Sequence, residues 1–178
     1  MKKHGKICSL AIFVLLCSIF MCSCDGGGGI NYFAYTNSKF TAEIEGNIDG
    51  ISFSASAYFN PYATDREVLA CIEYFMPQSL AGIVVSLYPD GRTSARLGEI
   101  VISDTFVTAM LEPVFIIVPE GDYSEIKKDG EDNILCKFSF SDGELVYTFD
   151  KGFKYPKKIE GRRGEQGYLI KINSFAQK

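Results

Sequence analysis

Alternation of apolar and polar residues in runs too short for helices, cut at close intervals by Asp-Gly and Pro-containing turns, constrains this chain more than any other feature. Phe40, Ala42, Ile44 and Gly46 alternate with Thr41, Glu43 and Glu45, the period of a strand with one buried face. Asp49-Gly50 then supplies the positive φ angles of a tight hairpin turn before Ile51 to Phe59. A second pair is expected at Glu67 to Met76 and Ala81 to Tyr88, joined across Pro77 and ended by Pro89-Asp90-Gly91. Thr93 to Ser103 reads as one or two further strands around Gly98. Ile134 to Phe140 and Leu145 to Phe149 flank Ser141-Asp142-Gly143-Glu144, and strands from Phe153 to Ile159 and Gly167 to Phe175 finish the chain. Between them, Asp104 caps a short helix carrying Phe106, Val107, Met110 and Leu111, Pro113 stops it, and Val114 to Val118 reads as a buried strand. The expected fold is all-β with one or two short helices, an antiparallel meander curled into a half-barrel or open barrel.

The N-terminus carries an address. Lys2, Lys3 and Lys6 precede an apolar run from Ile7 to Met21. As a helix that run is about 22 Å long, short of a ~30 Å bilayer core. The stretch resembles a bacterial lipoprotein signal peptide, in which a small residue precedes a cysteine. Ser23 before Cys24 fits that pattern, whereas Leu16 before Cys17 and Met21 before Cys22 do not. The resemblance implies cleavage between Ser23 and Cys24, lipidation of Cys24, and attachment to the extracytoplasmic face of a cell membrane, where two acyl chains hold far more durably than one. Residues 1–23 are thus the signal and residues 24–37, which include Gly26 to Gly29, a flexible tether. Residues 38–178 form a single antiparallel β domain, large enough for its own core.

Composition then excludes several classes of function. Without residues 1–23, fifteen basic residues face 22 acidic ones, a balance that disfavours a nucleic-acid partner. Residues 151–178 run against that balance, with eight Lys/Arg against Glu160 and Glu165, and read chiefly as a solvated face balancing an acidic neighbour. The one histidine, His4, lies in the signal, which removes Ser-His-Asp and Cys-His hydrolysis and imidazole-based zinc sites. No phosphate-binding or dinucleotide glycine motif occurs, and neither an enzyme nor a cofactor is expected. The acidic stretch from Glu120 to Asn133 fails the spacing of a calcium loop and reads as a solvated turn. Of six cysteines only Cys71 and Cys136 fall in the domain; a disulfide between them and a pair of buried thiols are both open at this point.

The order of features also resembles small clostridial-type lipoproteins. It comprises the lipidation motif and linker, Phe40-Thr41-Ala42-Glu43-Ile44, the Asp-Gly hairpin, Met76 to Gly82, Pro89-Asp90-Gly91, Phe149 to Ile159 and the closing Ile170 to Phe175. Those proteins are similar in turn to the lipoprotein-carrier superfamily, including mycobacterial lipid-binding lipoproteins, in which a curved sheet wraps an apolar cavity closed by helices. Two functions are therefore carried forward. In the first, the concave sheet binds a lipid or other apolar ligand, lined by Phe106, Val107, Met110, Leu111, Phe115 and Ile117. In the second, the half-barrel is filled and the chain is a structural or protein-interaction lipoprotein of the envelope. A roomy inner cavity favours the first and a packed core the second.

Overall fold

In the computed structural model the described residues are 31–103, 105–152 and 154–178, without the side chains of Thr105 and Phe106. The signal, Ser23, Cys24 and the glycine run lie outside them, as do Asp104 and Phe153. The chain divides into units Met1–Asn31 and Tyr32–Lys178, and every described core residue belongs to the second.

Strands β1 (Phe40–Ile48), β2 (Ile51–Phe59), β3 (Ala70–Met76), β4 (Ile83–Leu87), β5 (Thr93–Leu97) and β6 (Ile100–Ile102) run as an antiparallel meander. The chain then passes through a 3-10 helix, Thr105–Leu111, into α1 (Glu112–Ile117). Strands β7 (Glu125–Lys128), β8 (Ile134–Phe140), β9 (Gly143–Phe149), β10 (Pro156–Arg163) and β11 (Gln166–Gln177) form a second meander. Strand β11 pairs with β1 and joins the two into one open sheet, β6-β5-β4-β3-β2-β1-β11-β10-β9-β8-β7. This is the expected all-β half-barrel.

The period-two signal works as physics requires. Phe40, Ala42 and Ile44 are buried on the inner face, while Glu43 and Glu45 of the same strand are exposed. Asp49 (φ 51°) and Gly50 (φ 84°) make the first hairpin turn, its register running Phe40↔Phe59 to Ile48↔Ile51. Asp49 does more than turn: its carboxylate accepts the Gly167 N–H at 2.7 Å, tying the β1–β2 hairpin to the start of β11.

Three expectations are corrected. Val114 to Val118 is not a strand. Pro113 lies in the first turn of α1, where its missing N–H is no loss, so it starts the helix instead of stopping the previous one. A five-residue apolar run suits a buried helix as well as a buried strand, and periodicity cannot separate them. The acidic stretch is not all turn, because Glu125–Lys128 pairs with β8 as an exposed edge strand. Finally, the ordered domain begins before Ser38. Tyr35, in a 3-10 helix at Ala34–Asn37, is 1% exposed, and Phe33 packs edge-on against Phe138, Tyr147 and Phe149. Three aromatic rings between 32 and 37 bury too much apolar surface to remain a tether.

Candidate functional site

The inner face of the sheet gathers apolar side chains from both meanders. The 3-10 helix and α1 lie across it: Leu111, Val114, Ile116 and Ile117 are buried, meeting Ile44, Ile72, Val85, Ile159 and Ile170 in one core. Four tyrosines hold this segment by their hydroxyls. Tyr74 donates to the Met110 carbonyl (2.6 Å), Tyr168 to the Glu112 carboxylate (2.5 Å), Tyr147 to the Ile116 carbonyl (2.7 Å) and Tyr35 to the Ile117 carbonyl (2.5 Å). Two of these bonds fall at the junction of the 3-10 helix with α1 and two at the C-terminal end of α1. The last two satisfy carbonyls that a helix C-terminus leaves without intrahelical partners. Burial pushes all four hydroxyls up, Tyr74 to about 12, and the Glu112 hydrogen bond adds to the rise at Tyr168.

The six residues expected to line a ligand cavity are thereby dispersed. Leu111 and Ile117 are fully buried core, Val107 and Met110 pack partly buried against it, and the Phe106 side chain is outside the described residues. Phe115 reaches a pocket, a space of about 330 Å³ at the C-terminal end of α1, walled also by Val118, Pro119, Phe140 and Leu145. Tyr147 forms part of its wall, and Arg163, from the end of β10, sets a guanidinium beside it, 4.5 Å over the Phe140 ring. No resemblance or motif pointed to Tyr35, Tyr74, Tyr147, Tyr168 or Arg163. The available signal was parity: Tyr74, Tyr147 and Tyr168 share the inward positions of Ile72, Leu145 and Ile170, so their hydroxyls need acceptors from something covering the sheet.

Cys71 and Cys136 are both free thiols, one of the two arrangements that the sequence left open. Cys71 lies between the fully buried Ala70 and Ile72 and so faces outward, beside Ser86, whereas Cys136 is itself fully buried on the inner face. Opposite faces of one sheet cannot be bridged. Burial pushes the Cys136 thiol up to about 11 and raises Cys71 as well, so neither is an activated nucleophile. Alkylation of residues 30–178 in denaturant, without prior reduction, should add two labels by mass. In the native state Cys136 should stay unlabelled at pH 8.

The charged segments resolve into surface pairs. Lys151, Lys157 and Arg163 of the basic C-terminal stretch approach Asp132, Asp150 and Asp142, so the local excess of positive charge is interleaved with acidic neighbours. The Asp129 carboxylate accepts from the Asn133 side chain and from the Glu131 and Asn133 backbone N–H groups, which together hold its pKa down. Among the described residues no group of three or more His, Cys, Asp or Glu is placed to hold a metal ion, and no helix is long and apolar enough to cross a membrane.

No protein-family model matches the chain, and no curated protein matches it. Several solved structures are similar. A LolA superfamily protein from Nitrosomonas europaea is 7% identical with a TM-score of 0.43, over 83% of this chain and 92% of that one. A DUF1329 family protein from Desulfovibrio piger is 11% identical with a TM-score of 0.44, over 84% and 90%. A putative outer membrane lipoprotein-sorting protein domain from Vibrio parahaemolyticus is 9% identical with a TM-score of 0.38, over 79% and 86%. Each of these likenesses is distant, with an identity of 11% or less and a TM-score below 0.5.

Proposed function

We propose that this chain is a lipid-anchored extracytoplasmic binding module whose half-barrel takes a small apolar or amphiphilic ligand at the inner face. The observation that carries the reading is the pocket at the end of α1, where apolar side chains and charged ones converge on open space. The filled core limits the ligand. With Leu111, Val114 and Ile117 already seated on the sheet, a large lipid requires displacement of the helical segment, whereas a small one fits beside it.

The anchor rests on Ser23-Cys24 following the lysine-led apolar run. Cys24→Ala should release the protein from the membrane fraction and abolish acyl labelling; full labelling in that variant would show the anchor to be elsewhere. The ligand is tested by native mass spectrometry of residues 30–178 purified from cells, with organic extraction of anything bound. A stoichiometric small amphiphile supports the reading. A clean apo mass that also fails to take up added fatty acids and phospholipids favours the other function.

That second function, an envelope protein-interaction module, is favoured by the filled core and by one edge of the sheet. The β5–β6 edge leaves Leu97, Ile100, Val101 and Ile102 all more than half exposed, while the opposite edge, β7, carries the Glu125–Lys127 ion pair.

A further inference from the structure

The chemistry around the α1 pocket is uneven, and the unevenness selects a ligand. Phe115, Val118, Pro119, Phe140 and Leu145 form the apolar part of its wall, Glu120 and Arg163 contribute to the polar part, and the Tyr147 hydroxyl is committed to the Ile116 carbonyl. The strong donor group is Arg163. Its guanidinium lies over the Phe140 ring, and its ion pair with Asp142 spans 4.0 Å between half-exposed side chains, a weak contact. An aromatic face beneath a guanidinium fixes the plane of the fork, and a fixed fork is matched by a carboxylate that accepts two parallel hydrogen bonds.

Glu120 also borders the pocket, which disfavours a head group bearing more than one negative charge. A volume of about 330 Å³ lies near the lower end of small-molecule sites and suits one short chain or ring, not a diacyl lipid. Resting on the proposal that the inner face binds a small ligand, we infer that this pocket takes an amphiphilic monocarboxylate, its carboxylate on Arg163 and its apolar body against Phe115, Phe140 and Leu145.

Titration of isotopically labelled residues 30–178 with octanoate, and separately with 1-octanol, tests this by NMR. The probes share a chain and differ in charge, so the comparison needs no variant that must fold. Octanoate should shift the Leu145 methyl and Arg163 side-chain signals saturably and bind about tenfold more tightly than octanol, the worth of one charge-assisted pair. Arg163→Met should erase that preference while leaving octanol binding unchanged, and Glu120→Gln should strengthen octanoate binding about threefold by removing a like charge. Equal affinities for the two probes overturn the carboxylate assignment and leave a small apolar ligand standing. Saturation by neither overturns both.

Discussion

Gly161→Ala is expected to cost about 3–4 kcal/mol and to lower the melting temperature of residues 30–178 by roughly 10 °C. Gly161 has φ +147°, a backbone conformation that side-chain-bearing residues rarely adopt. A Cβ there would stand 2.1 Å from the Glu144 carbonyl oxygen and 3.0 Å from the Leu145 Cα. Both obstacles are backbone atoms of β9, the strand with which β10 pairs through Gly161↔Leu145, so no rotamer change relieves the overlap. The strands must separate locally, beside Leu145 and Tyr147, which anchor the inner face. Gly130→Ala is the control, since nothing lies within 4 Å of a Cβ at that turn, and its effect should stay within about 0.5 kcal/mol. Urea denaturation of both variants decides the matter. Equal midpoints would mean that β9 and β10 do not approach each other as described.

Alkali should produce the second large effect. Tyr35 and Tyr147 are 1% and 0% exposed, and burial holds both hydroxyls protonated well above their ordinary range. The unfolded chain releases those protons near pH 10. Below that pH both states keep the proton and the tyrosines contribute their full stabilisation. As the pH rises past it, the unfolded state alone ionises and stability falls, until the folded-state pKa is reached. Each buried tyrosine contributes a slope of about 1.4 kcal/mol per pH unit, so the pair contributes about 2.7. Tyr74, shifted to about 12, steepens the fall over the same range. Replacing Tyr35 and Tyr147 by phenylalanine should flatten the slope measured between pH 10 and 12. At pH 7 it should cost about 1–3 kcal/mol for each carbonyl left without its donor. Amide exchange at Val118, whose N–H bonds the Val114 carbonyl, should quicken in the double variant; unchanged exchange would mean the hydroxyls do not hold the helix end.

The candidate site shows why its parts were unequally readable. Phe115 stood out in the sequence as part of an apolar stripe, yet so did Leu111 and Ile117, and nothing local separates a residue facing open space from one facing Ile44 or Val85. Arg163 appeared only as one of eight basic residues near the C-terminus. It became part of a pocket because β10 pairs with β9 in a register that sets Arg163 opposite Gly143, next to the turn carrying Asp142 and close to Phe140. A register is a property of two strands, and one strand's sequence does not contain it.

What the sequence determined by itself is local and periodic. Alternation specified which residues of β1 face inward, and Asp49-Gly50 specified a tight turn, because these depend only on chain geometry and on the φ angles those residues tolerate. Tertiary structure decided everything that required a second surface. It made Val114 to Ile117 a helix, since a buried apolar run takes whichever form satisfies its backbone where it lands, and here Tyr147 of the sheet and Tyr35 of the N-terminal 3-10 helix donate to its last carbonyls. It drew Tyr35 out of an expected tether into the core, and it set Cys71 and Cys136 on opposite faces. The physical reason is the same throughout: hydrogen-bond donors and apolar surface must find partners, and those partners lie far away in sequence.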